Sequence, residues 1–195
     1  MPQFSFKTVI CQREDEDAFD RCYARCQEYG YDISVIKETK EEQIRAVEGW
    51  FKNYRNSSDR NYADFNIFLS HYKVWRKARE DGETYLIIES DAYQTIDIPG
   101  NIDQLYTEVL NLSAGDWEFE NSIVDVPSSK VQLNQDNDYI NYKKHSLKNA
   151  NAYLIKPEAS KRACDIVRKQ GYMIPRVMLN SLLFDVKMFR RKLFV

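Results

Sequence analysis

The chain has 195 residues, enough for one domain with a substantial core, and its 43% hydrophobic and 30% charged residues are ordinary for a globular protein. A formal net charge of −2 excludes the chain-wide basic face that nucleic-acid binding needs, although residues 187–192 (KMFRRK) form one local basic run. No window reaches the roughly 18 apolar residues of a membrane-spanning helix. The N-terminal MPQFSFKTVI lacks a basic region followed by a long apolar stretch, so the expectation is a cytoplasmic protein whose four cysteines stay reduced. Aromatic residues, at 13%, fit either a Tyr-rich core or flat contacts to a sugar, a base or a protein.

In chain order, residues 6–11 (FKTVIC) read as a short strand. Asp15 is placed to cap a helix that carries Phe19, Cys22, Tyr23, Cys26 and Tyr29 on one face, and Gly30 to end it. Cys22 and Cys26 are four apart and offer two metal ligands, but their place on the apolar face favours packing. Residues 33–36 read as a second strand, completing a right-handed βαβ unit. A second helix is expected over about 40–54 and a third over about 62–80, with Gly82 closing the third. Residues 84–88 (TYLII) are a continuous run of strand formers, the pattern of a strand covered on both faces.

Ile102, Leu105, Tyr106, Val109 and Leu110 predict another helix, and residues 116–119 a return strand. Residues 127–148 are polar and aperiodic and read as a long excursion over the site face. Residues 152–155 read as a strand, and Pro157 opens a helix that Gly171 closes. A short helix from Pro175 and a terminal strand or tail complete the chain. The fold expected is a single α/β domain over residues 1–195, a mixed and mostly parallel sheet flanked by helices.

The most informative junction is Glu89-Ser90-Asp91, where the apolar strand ends in two carboxylates. In open α/β sheets ligands bind beyond the carboxyl ends of the strands. Extended backbone points Glu89 and Asp91 to the same side. Paired carboxylates there suit a divalent cation that stabilises a diphosphate leaving group. The plainer reading is a solvated strand exit, because Asp15-Glu16-Asp17 and Asp136-Asn137-Asp138 repeat the pattern by chance.

Residues 64–91, DFNIFLSHYKVWRKAREDGETYLIIESD, resemble the core signature of glycosyltransferase family 25, which includes lipopolysaccharide β-galactosyltransferases and collagen galactosyltransferases. Phe68-Leu69-Ser70-His71-Tyr72 and Trp75 match its helix, and Glu89-Ser90-Asp91 stands for its acidic triplet. Asp116-Trp117-Glu118, Asn151-Ala152-Tyr153-Leu154-Ile155 and the opening Val9-Ile10-Cys11-Gln12-Arg13 are similar to further segments in the same order. Two positions depart from the pattern: Ser90 replaces the middle acid, and Arg176 stands where an acidic residue follows the late proline.

The resemblance implies a GT-A (Rossmann-like) fold and inverting transfer from a UDP-sugar to a hydroxyl of a glycan, a lipid-linked sugar or a protein, with Mn²⁺ or Mg²⁺. It implies metal ligation by Asp91 and Glu89, and donor contacts from Cys11, Arg13, Ser70, His71 and Glu89. His71 either orients a carboxylate or serves as a hydrogen-bonded packing residue. Candidates for the general base are Asp116, Glu118 and Asp185. His145 either completes a metal shell or lies on the surface. The alternatives are a catalytically degenerate nucleotide-sugar or partner-binding protein, a sugar transferase acting on modified nucleic acid, and a nucleotidyltransferase or phosphohydrolase.

Overall fold

A computed structural model describes residues 5–47, 51, 62–113, 123–125, 149–189 and 193–195. The apolar runs pair as strands: β1 (Lys7–Cys11), β2 (Ile33–Ile36), β3 (Tyr85–Glu89), β4 (Val109–Asn111), β5 (Ile123–Asp125), β6 (Ala152–Ile155) and β7 (Val186–Phe189). They form one sheet in the order β2-β1-β3-β6-β4-β7-β5. β2, β1, β3, β4 and β7 share one direction, and β6 and β5 oppose it. The fold is therefore α/β with a mixed, mostly parallel sheet.

The helices are α1 (Glu16–Glu28), α2 (Glu41–Val47), α3 (Tyr62–Asp81), α4 (Pro157–Gln170) and α5 (Pro175–Met178). α1 begins where expected, with the Asp15 side chain accepting from the Ala18 N–H at 2.9 Å. α3 ends at Gly82, whose φ of +68° supplies the left-handed residue that terminates a helix without a Cβ penalty. Gly171 caps α4 through its N–H to the Val167 carbonyl.

Strand alternation divides the core in two. Val9, Cys11, Tyr85, Ile87, Tyr153 and Ile155 face a layer made by α3, α4 and α5. Ile10, Leu86, Ile88, Ala152 and Leu154 face α1 and the chain around Ile98–Tyr106. Leu86, Ile87 and Ile88 are each fully buried, which stabilises the fold by about 1.5–3 kcal/mol apiece. All four cysteines are free and buried, with Cys22 and Cys26 in the α1-side core.

One expected helix is corrected. Residues 102–110 form a 3₁₀ turn (Ile102–Gln104) followed by β4, because Val109 and Leu110 pair between β6 and β7. The helical spacing of Ile102, Tyr106 and Leu110 is real but is satisfied differently, since all three pack into the α1-side core. The expected strand at 116–119, the excursion over 127–148 and most of the 48–61 region lie outside the described residues. Among the described residues no helix is long and apolar enough to cross a membrane.

Candidate functional site

The chain leaves β1 toward β2 on one side, then returns to place β3 on the other side of β1. This reversal of strand order opens a crevice at the carboxyl ends of β1 and β3. The register sets Cys11 opposite both Ile36 and Glu89, so the three parallel strands end level with one another. The next residues of β1 and β3 are tied together. The Ser90 N–H donates to the Cys11 carbonyl at 3.1 Å, and the Arg13 N–H donates to Ser90 Oγ at 2.9 Å. Ser90 thus fixes the Arg13 backbone against β3, a role its hydroxyl performs without a charge.

Arg13 spans the two carboxylates of the junction. One guanidinium nitrogen pairs with Glu89 Oε2, and the other lies 3.4 Å from Asp91 Oδ2. The expected reason for pairing them is corrected: Ser90 and Asp91 form a turn after Glu89, closed by the Ala92 N–H to the Glu89 carbonyl, so Arg13 and not extended-strand alternation links the two carboxylates. Their environments differ. The Glu89 side chain is 7% exposed and the Asp91 side chain 44%.

Glu89 extends the alternation of Tyr85 and Ile87, which aims it at the α3 face. There its second oxygen meets His71 Nε2 at 3.2 Å. His71 is fully buried, and its Nδ1 lies 2.7 Å from the Tyr153 hydroxyl, which also accepts from Trp75 Nε1–H at 2.9 Å.

The donors fix the direction of this chain. An indole nitrogen only donates, so the Tyr153 hydroxyl must spend its own hydrogen elsewhere, and His71 Nδ1 is the acceptor in reach. With Nδ1 as acceptor, the ring hydrogen sits on Nε2, which lies 3.2 Å from Glu89 Oε1 but makes no hydrogen bond there. Burial alone would raise the Glu89 carboxyl, but its contacts with His71 and Arg13 outweigh burial and hold it below the usual range. Glu89 is ionised, and Arg13 balances its charge.

Two hollows flank Arg13. The larger, about 680 Å³, is bounded by Arg13, Glu14, Glu38, Thr39, Lys40 and Tyr62 among others. Its floor is set by Asn66, whose side chain accepts from the Thr39 N–H at 2.9 Å and donates to the Thr39 carbonyl at 3.2 Å and to Glu38. The smaller, about 210 Å³, is bounded by Arg13, Glu89, Asn149, Asn151, Pro175 and Arg176 among others. Arg13 and Ile67 line both.

Of the residues singled out from sequence, the fold gathers Cys11, Arg13, Ser70, His71, Glu89 and Asp91 at this crevice. Cys11 and Ser70 line only a narrow gap of about 10 Å³ beside His71. The Cys11 thiol is pushed far up by burial and by Glu89, so it stays protonated and offers no thiolate to a metal. Asp185 is not brought here, which corrects its candidacy as the base. It precedes Val186, which aligns through Val109 and Ile155 with Tyr85, the first residue of β3, so Asp185 lies at the opposite edge of the sheet. There it accepts from Thr107 Oγ1, and its N–H donates to Glu108. Asp116, Glu118 and His145 lie outside the described residues.

Arg13 pairs with both carboxylates, but Glu89 is nearly buried and Asp91 is 44% exposed, so Asp91 is the carboxylate that a divalent cation would reach. Among the described residues no group of three or more His, Cys, Asp or Glu could hold a metal. One carboxylate with substrate phosphates and water is a common Mg²⁺ arrangement, and the donor set fits a cation carried in with a diphosphate.

Tyr153 and Asn66 were not recognised as site residues from sequence. Asn66 left a visible sign: a polar residue on the apolar stripe of Phe65, Phe68 and Leu69. Tyr153 left none, because a tyrosine in a buried strand reads as packing. Comparison of the chain with protein-family models gives no match, and comparison with curated proteins gives none either.

Proposed function

We propose that this chain is a glycosyltransferase that moves a sugar from a UDP-sugar to a hydroxyl acceptor, with a divalent cation accompanying the donor. The observation that carries the reading is the convergence of Arg13, Ser90 and Asp91 at the β1–β3 reversal, beside a hollow of about 680 Å³. That volume falls in the range of small-molecule sites. Exposed Tyr62 offers a flat face in its wall for a base. Glu14, Asp15 and Glu38 outnumber Arg13 and Lys40 among its lining charges, so a bare diphosphate would be repelled and a cation would have to come with it. When bound, that cation would neutralise charge on the departing diphosphate, with Asp91 holding it. Glu89 is then the group that positions Arg13 rather than a ligand.

The test is a thermal-shift series with UDP and UDP-sugars, with and without Mn²⁺. At 100 times the dissociation constant a ligand stabilises the fold by about 2.7 kcal/mol. Metal-dependent shifts that vanish in Asp91→Asn are expected. Silence of the unmutated protein toward every UDP compound refutes the reading.

A second reading keeps the donor hollow without turnover, and the capture of the buried Glu89 carboxylate by Arg13 favours it. Hydrolysis of the donor in the presence of Mn²⁺ separates the two, because a binder alone releases no sugar.

A further inference from the structure

We infer that the smaller hollow receives an acidic acceptor, a sugar unit bearing a carboxylate or a phosphate, held by Arg176. The word acceptor rests on the function proposed above; the anion site itself does not. The hollow of about 210 Å³ shares Arg13 and Ile67 with the larger one and is also lined by Glu89, so a molecule seated in it meets the same junction.

Its charges are unevenly committed. Glu89 is matched by Arg13, and Arg13 in turn is held by Glu89 and Asp91. Asp64, in the first turn of α3, also contributes to the wall. Arg176 is exposed and has no ion-pair partner among the described residues. Among the described residues it is the uncommitted cation of the hollow.

Its backbone is firmly placed. Val177 and Met178 are buried at 2% and 0% exposure, and both donate to the Ile174 carbonyl. Asn180 closes the segment by donating to the Val177 carbonyl at 2.6 Å and accepting from the Leu182 and Leu183 N–H groups.

Two carboxamides add neutral donors. The Asn149 side-chain carbonyl accepts from the Asn151 N–H, and the Asn151 carbonyl accepts from the Glu89 N–H at 2.7 Å. These contacts hold both residues while leaving their NH₂ groups without a partner among the described residues. A guanidinium and two carboxamide NH₂ groups around a small polar hollow suit an anion on a hydroxylated ring.

The test titrates the full chain at low salt with glucuronic acid, glucose 6-phosphate and glucose, observing ligand resonances by NMR. A UDP–Mn²⁺ titration runs in parallel as a separate arm. The acidic sugars should bind and glucose should not, and the ratio between the two acids identifies carboxylate or phosphate as the anion. Arg176→Glu should weaken the acidic sugars by at least about tenfold, Arg176→Gln by less, and both should leave UDP affinity unchanged. The inference is overturned if no acidic sugar binds, if glucose binds equally well, if Arg176→Glu changes nothing, or if it weakens UDP instead. If acidic sugars bind through Arg176 but UDP compounds never bind, the anion site stands and the transferase reading falls.

Discussion

Tyr153→Phe removes one oxygen and tests the buried chain that orients the site. The hydroxyl serves two partners that have no other, Trp75 Nε1–H and His71 Nδ1, and all three residues are fully buried. An orphaned buried polar group costs about 1–3 kcal/mol, so two of them near the middle of that range predict a loss of about 3–4 kcal/mol. For a chain of this length that corresponds to a fall in Tm of about 6–16 °C.

Urea unfolding of the wild type, Tyr153→Phe, Trp75→Phe and the double variant gives both the loss and the coupling. The second substitution should cost about 1–2 kcal/mol less in the background of the first, because its partner is already gone. The ¹⁵N shifts of the His71 imidazole provide an independent check, with the Nε2–H tautomer expected in the wild type. A loss below about 0.5 kcal/mol, an additive cycle or an Nδ1–H tautomer would refute the assignment of donors.

Glu89→Gln should alter the acid limb of stability. The folded carboxyl titrates below its ordinary value, so its contribution is full above the unfolded carboxylate range and is lost as pH falls through the depressed value. Urea midpoints measured downward from pH 7 should therefore fall less steeply in Glu89→Gln than in the wild type; parallel curves would contradict this. Asn66→Ala frees the Thr39 N–H and should cost about 2–3 kcal/mol, with faster hydrogen exchange at Thr39 as the local readout. Gly82→Ala meets no neighbour within 4 Å, so its loss should be only the conformational cost of about 1–2 kcal/mol at φ +68°, measured by thermal melting.

Much of this arrangement was legible before any coordinates. The apolar run over 84–88 and its abrupt end in Glu89-Ser90-Asp91 located the crevice, because ligands of open α/β sheets bind beyond the carboxyl ends of the strands. The α3 stripe and its Gly82 stop were equally plain. Spacing failed at Val109 and Leu110, where pairing with β6 and β7 overrode a helical pattern. It also could not foresee that Arg13, 76 residues from Glu89 in sequence, would pair with it and change a presumed metal ligand into a buried anchor. Asp185 looked available only because sequence does not say which end of a strand faces the crevice.

Arg13 lines both hollows, and this has a thermodynamic consequence. A guest that draws Asp91 away from Arg13 on one side alters the wall met by a guest on the other. Whatever factor the first applies to the affinity of the second, the second must return to the first. Saturation curves for two such guests would then depend on one another, and the size of that dependence would measure how firmly a single guanidinium holds its place.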